Sequence, residues 1–387
     1  MNVKATQGER VIKAAKSGWS TELCDEDQLT YERLVTTDLS AEQQERSRCA
    51  AEVFARQESV LAVHWHPEFV PLHLVRERID ATFPNRTDEL IIPTQHNILV
   101  SYDGFSGVEV DCYSRGFDRK VQLLVHFANE RLTQADVFKD MLAHTFEYRS
   151  RQLFEFIDSV LEPAYEYRFA RAAAETGADE ELTAFVRVHA EKVKKLYDKN
   201  ESITPPEAVR NKLLMNYFET LRDTFSPRFV DRALTFLRAV KQDVKAHFSN
   251  EYFYATEAVI EEVRSLGGGI IVPHPEQFWP ILLADYHVDG YEVWNPQSQE
   301  YSEFLINVVA RQNKSRARTE RPLLITMGDD CHLGEKVKEP RFQDPDKAGR
   351  EVGVQPAWDD PAIRKSLILA DADRGRVIEE YRNRLTT

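Results

Sequence analysis

The chain has 387 residues, 50 of them basic and 64 acidic, for a formal net charge of −14. That length suffices for a full core without covalent staples, and 42% hydrophobic residues exclude a disordered chain. Four scattered cysteines exclude a disulfide scaffold, and the acidic balance argues against tight, sequence-blind binding to long nucleic acid.

Residues 1–19 contain no apolar h-region, and no run approaches the roughly eighteen apolar residues of a membrane span. The expectation is a soluble, cytoplasmic protein with reduced thiols and no membrane partner. Residues 1–57 read as an N-terminal helical segment, with helix formers and helical spacing at 41–46 and 49–54. Short apolar runs follow at Ser59 to Val63, Glu89 to Ile92, Gly107 to Val110 and Val121 to Val125. Each is bounded by polar or turn residues, as buried parallel strands are.

Between 131 and 264 the strand pattern gives way to amphipathic helical segments, including 137–161 and 182–197. Thr204-Pro205-Pro206-Glu207 breaks the pattern, with Thr204 as N-cap of a further helix. A slight basic excess over 187–245 reads as a solvated helix face, and Phe218, Phe225, Phe229 and Phe236 as core. Strand-like runs return at 269–272, 290–294 and 322–326, and the chain ends in a helix over about 361–385. The economical organisation is one α/β domain, 58–130 with 265–387, interrupted by a helical insertion over 131–264. Such an insertion is placed to act as a lid or as a surface for homo-oligomer formation.

Six of the eleven histidines fall just after strands: His64, His66, His96, His126, His274 and His332. Glu109, Asp329 and Asp330 occupy comparable positions. In parallel α/β folds the carboxyl ends of strands gather on one face, where sites are built. Imidazoles with carboxylates at such a face suit divalent zinc, manganese or iron, and a carboxylate can bridge two ions. In His64-Trp65-His66 the period of an extended strand points both imidazoles the same way. HxH alone is a weak signal; the force lies in the whole series. His144, His189, His247 and His287 are left as ordinary residues. Gly267-Gly268-Gly269 precedes a strand, the wrong order for a phosphate-cradling helix start.

The order of these motifs resembles the polymerase and histidinol phosphatase (PHP) superfamily of metal-dependent phosphoesterases. The residues that carry the resemblance are His64-Trp65-His66, Thr94-Gln95-His96-Asn97, Gly107-Val108-Glu109, Leu124-Val125-His126, Val272-Pro273-His274-Pro275 and Gly328-Asp329-Asp330-Cys331-His332. The strand Gly290-Tyr291-Glu292-Val293-Trp294-Asn295 looks like a further family element. The resemblance implies a distorted (β/α)7 TIM-like barrel holding two or three divalent ions. It implies His64, His66, His96, Glu109, His126, His274, Asp330 and His332 as ligands, with Glu109 bridging. His73 is the candidate for a ligand that some members place shortly after HxH; the usual SDG tripeptide is missing, and Pro67-Glu68 stands there. Gln95 replaces the acid normally found before the third histidine.

The implied activity is hydrolysis of a phosphomonoester or small nucleotide-type phosphodiester, by attack of metal-bound hydroxide with no side-chain nucleophile. Arg115 and Arg119 are candidates to meet the phosphate of a small substrate. The alternatives are a PHP-like metal-binding scaffold and a C–N bond amidohydrolase. The latter usually wants a carboxylated lysine or a lone strand aspartate, and no lysine sits at a strand end here.

Overall fold

The computed structural model describes residues 19–284, 286–316 and 320–387. It is a mixed α/β structure that divides into two compact units, one of residues 39–146 with 250–387 and one of residues up to 38 with 147–249. Among the described residues no helix is long and apolar enough to cross a membrane.

Among the described residues the α/β unit carries ten strands: β1 (Ser59–Ala62), β2 (Trp65–His66), β3 (Asp88–Ile91), β4 (Val100–Tyr102), β5 (Phe105–Ser114), β6 (Arg119–Ala128), β7 (Gly269–Val272), β8 (Gly290–Trp294), β9 (Leu324–Met327) and β10 (Cys331–His332). Their ladders form three sheets: β1 with β3, β2 with β10, and a six-stranded sheet in the order β4-β5-β6-β7-β8-β9. Single backbone bonds continue the two short ladders and join the segment after β3 to β5. Ile92 N donates to Ala62 O, Asn97 N to Glu109 O and Asp330 N to His64 O, at 2.8, 2.8 and 2.9 Å. Gln355 spans β1 and β9, its Nε2 donating to Leu61 O at 2.8 Å and Met327 O at 2.7 Å.

The expectation of parallel strands holds for β1 with β3 and for β7, β8 and β9, but not for β5 and β6. β5 and β6 are antiparallel, as are β6 and β7. Only residues 115–118 connect β5 to β6, whereas a parallel pair needs a crossover of a dozen residues or more. Both strands extend well past the apolar runs that announce them. Gly107 is required where β5 meets the preceding chain: a Cβ there would lie 2.3 Å from Pro93 O.

Three helical expectations are corrected. The helix Ala41–Arg48 ends where residues 49–54 were expected to be helical. The Arg78 guanidinium donates to the carbonyl oxygens of Arg46, Ser47 and Cys49, binding the carbonyls that a continuing helix would use. The segment 137–161 forms two helices, Asp136–Phe146 and Tyr148–Leu161. The last stretch is likewise two helices, Pro361–Leu369 and Arg374–Thr386, separated by a turn with Asp371 at φ +53°.

Among the described residues the second unit is all helical. Helix Glu180–Asn200 starts from the Asp179 cap, whose side chain accepts from Leu182 N at 2.9 Å. Thr204 caps no helix of its own. Its hydroxyl returns to Asn200 O at 2.9 Å, and the next α-helix, Asn211–Thr220, begins seven residues later. Helix Asp25–Val35 joins this core through Tyr31 and Val35, so residues 19–57 are divided between the units, and 1–18 lie outside the described residues. Phe218 and Phe236 are fully buried in the same core, with Phe225 and Phe229 partly buried against it.

His189 sits among these rings, 4.4 Å from the Phe185 centroid. Burial, reinforced by the Lys192 charge, depresses its pKa from 6.5 to about 4. The unfolded chain therefore takes up a proton at higher pH than the folded one. The stability that neutral His189 contributes is complete above pH 6.5 and is lost as pH falls towards about 4. The loss amounts to roughly 3 kcal/mol. His189→Leu is expected to flatten the acid side of a thermal-stability profile followed by circular dichroism between pH 4 and 7; an unchanged slope would refute the assignment.

Candidate metal centre

The site is built at the ends of β1, β3, β7 and β9, on β2 and β10, and from the middle of β5. His64 and His66 flank Trp65, whose ring is fully buried in its own apolar cluster. Burying Trp65 on one side turns both imidazoles to the other, and their centroids lie 5.5 Å apart. The paired strand β10 lays His332 alongside His66, the rings stacked at 4.2 Å. His96 also stacks on His66, at 4.5 Å. It is carried there by a loop braced through Asn97, whose amide donates to Asp111 Oδ2 at 2.7 Å. Glu109 projects from β5, and His274 follows β7.

The structure thus brings together seven of the proposed residues: His64, His66, His96, Glu109, His274, Asp330 and His332. Their ligating atoms fall into three overlapping groups, each within 4.8 Å: His66, His96 and His332; His64, Glu109 and His274; His64, His66 and Asp330. Asp330 Oδ1 stands 3.6 Å from His64 Nε2, 3.5 Å from His66 Nε2 and 3.3 Å from His332 Nε2. Glu109 Oε2 is 3.6 Å from His66 Nε2, and its Oε1 is 3.6 Å from His274 Nε2. Most of these distances are too long for hydrogen bonds. They match the spacing of about 3.3 Å between two donors that share an ion at 2.0–2.1 Å in tetrahedral geometry.

Unsatisfied nitrogens support the same fit. His64 Nε2, His274 Nδ1 and both ring nitrogens of His66 are buried with no hydrogen-bond partner among the described residues. Buried polar atoms left without partners cost free energy, so their concentration at one point indicates a group that satisfies them. Backbone strain collects here as well. Of seven described non-glycine residues at positive φ, four (Glu68, Asn97, His274 and Asp330) are at or beside the cluster.

The electrostatics suit ligation. Burial raises both carboxyl pKa values, but the surrounding imidazoles prevail: Glu109, beside His96 and His274, and Asp330, beside His332 and His66, are held well below the usual range. Burial, with the charges of His332 and His96, drives His66 down to about 3, which keeps its lone pairs available. His64 goes the other way. Burial lowers its pKa, but the Glu292 carboxylate, 2.6 Å from Nδ1, raises it to about 10.

Four proposed residues lie elsewhere. His126 is buried, but its Nδ1 contacts the Tyr381 hydroxyl at 2.7 Å and its Nε2 contacts Val63 O at 3.0 Å. With both nitrogens engaged, it is a core residue in this structure. His73 is exposed near the start of helix Leu72–Thr82. Arg115 lies in the β5–β6 turn and Arg119 at the start of β6, both exposed. At the rise of an extended strand these arginines stand roughly 17–20 Å along the hairpin from Glu109.

Other residues do more than the sequence indicated. Glu292 is 1% exposed and orients His64 through Nδ1, leaving Nε2 towards the cluster. It is fixed in turn by His274 N at 3.2 Å and Asn295 Nδ2 at 3.0 Å. Gly328 leaves room for it, since a Cβ there would lie 1.8 Å from Glu292 Oε2. Asp330 Oδ2 accepts from Arg350 at 2.5 Å and from Gln297 at 2.7 Å, so Oδ1 is the oxygen left to face the imidazoles. Glu292 was visible as a strand motif; no local pattern distinguishes Arg350 or Gln297.

Glu292→Gln is expected to lower metal affinity 10–100-fold, because His64 exchanges a charged carboxylate partner for a neutral amide that fixes its ring less firmly and strengthens it less as a donor. Competition against a chelator of known affinity measures this, and unchanged affinity would remove Glu292 from the site.

No family model matches the chain, and no curated protein matches it. Among solved structures it is similar to a Bifidobacterium adolescentis protein provisionally assigned as a metal-dependent phosphoesterase. The TM-score is 0.41 at 16% identity, over 82% of this chain and 98% of that one.

Proposed function

We propose that this protein is a metal-dependent phosphoesterase of PHP type, hydrolysing a small phosphorylated substrate in the cytoplasm. The observation that carries the proposal is the cluster itself: five imidazoles and two ionised carboxylates in three overlapping groups, with buried ring nitrogens unsatisfied. His64, His66, His96, Glu109, His274, Asp330 and His332 would hold two or three divalent ions, zinc, manganese or iron, with Glu109 reaching two groups through its separate oxygens.

Such ions supply Lewis acidity towards the phosphoryl oxygens and activate water near neutral pH, so no side-chain nucleophile is needed. The protein's own residues set the frame. Glu292 fixes the His64 ring, while Arg350 and Gln297 hold Asp330 so that one oxygen faces inward. Asn97 and Asp111 brace the loop that carries His96, whose side chain at 24% exposure marks the opening of an otherwise closed cluster. Substrate therefore approaches from the His96 side.

The barrel reading of the fold is part of the proposal. The path runs by ladders from β5 through β6, β7 and β8 to β9, along the chain to β10, by a ladder to β2, back along the chain to β1, by a ladder to β3, and to β5 through the His96–Glu109 bridge. With β9 and β10 taken as one segment and β1 and β2 as another, this circuit of seven supports a distorted barrel with ligands at one end. The helical unit formed largely by 147–249 is proposed as the lid or dimerisation surface.

The test is metal content per chain together with phosphate or nitrophenol release from a panel of phosphoesters with added manganese. Metal with turnover is expected. Metal without turnover favours a scaffold, and release of ammonia from amide or amine substrates favours C–N bond hydrolysis; either overturns the phosphoesterase assignment.

A further inference from the structure

With Arg115 and Arg119 far along the hairpin, the proposed site needs another cation for the substrate. The segment after His332 supplies one. Asp344 caps a short turn, accepting from Asp346 N at 3.1 Å and Lys347 N at 3.3 Å. Arg350, only three residues beyond Lys347, is anchored on Asp330 through its side chain, 3.0 Å from Asp330 O and 2.5 Å from Oδ2. Fixed at both ends, this segment presents Lys347 to the cluster, with Nζ 3.4 Å from His332 Nε2. Lys347 is half-buried and forms no ion pair with a carboxylate among the described residues.

We infer that Lys347 is the residue that anchors the anionic group of the substrate at the metal centre. The inference rests on the phosphoesterase reading and adds a specificity-determining residue to it. Its main support is an unshared lone pair. His332 belongs to the His66, His96 and His332 group, and its Nε2 is the nitrogen that stands 3.3 Å from Asp330 Oδ1. A lone pair committed to a cation cannot also accept from an ammonium, so in the loaded protein Lys347 loses the polar side-chain contact it makes among the described residues. His332 also neighbours His96, with ring centroids 6.0 Å apart, which puts Lys347 on the rim through which substrate enters. An ammonium held there by a braced segment meets a phosphoryl oxygen at little entropic cost, and its charge disfavours neutral substrates.

The test uses the full chain loaded with manganese and inorganic phosphate as the probe, followed by calorimetry. Lys347→Met is expected to keep wild-type metal content and to weaken phosphate binding about tenfold or more, with Lys347→Arg recovering most of it. In turnover of a nitrophenyl phosphoester the loss should fall on KM more than on kcat. Unchanged phosphate affinity in Lys347→Met overturns the inference. Loss of metal from that variant also overturns it, since Lys347 would then belong to the metal centre itself. A wild-type protein that holds metal but neither binds phosphate nor releases it from any phosphoester refutes the functional reading, an outcome visible without any variant.

Discussion

Glu109→Gln is expected to leave the protein folded and to reduce turnover by about 100-fold or more, with a matching fall in bound metal. The substitution preserves size and removes a charge from a side chain that is 1% exposed. Burial on its own would raise the pKa of this carboxyl; His96 and His274 hold it well below the usual range, so Glu109 is ionised at any working pH. Its oxygens serve different neighbours, Oε2 towards His66 and His96 and Oε1 towards His274. A neutral amide offers one oxygen where the site needs two, and presents an NH2 donor to the other group. Elemental analysis and turnover on the same preparation check the prediction. Wild-type activity in Glu109→Gln would mean that the cluster is not the catalytic centre.

Asp330→Ala is expected to lower bound metal and turnover and, in addition, to cost stability. Arg350 and Asp330 form a nearly buried pair, with side chains 6% and 8% exposed. Removing the carboxylate leaves a buried guanidinium unpaired, at a cost of about 3–5 kcal/mol. Asp330 also sits at φ +44°, a region aspartate tolerates better than alanine, which adds about 1 kcal/mol. The double variant Asp330→Ala with Arg350→Met is expected to recover most of the first cost but not the second. It should recover neither metal nor activity. Denaturant midpoints on chelator-treated protein measure these terms without a contribution from metal binding. A single variant as stable as wild type would show that the pair is solvated in solution. Metal content equal to wild type would remove Asp330 from the ligand set.

Much of this site was legible in the chain. His64 and His66 share a face because strand side chains alternate, and a buried Trp65 between them fixes which face. His96, Glu109, His274 and the pair Asp330 and His332 each stand on or just beyond a short apolar run, so their convergence followed once those runs were read as strands meeting at one end. The helical segments of the second unit were legible for a similar reason, since their apolar spacing needs no partner to be seen.

What the chain could not disclose was who meets whom at long range. His126 has the same local setting as its neighbours, yet Tyr381, from the last helix, and Val63 O take both its nitrogens. Arg115 and Arg119 follow Glu109 in sequence, but an antiparallel hairpin carries them away along its length. Arg350, Gln297 and Lys347 reach the cluster from loops whose composition resembles any other surface turn. Alternation and strand position are set by each residue's immediate neighbours, so the sequence by itself determined the candidate ligands' side-chain types and the face that His64 and His66 share. Saturation of Asp330 Oδ2, the orientation of His64 by Glu292 and the placing of a cation at the rim depend on segments brought together only by packing, and those the tertiary structure decided.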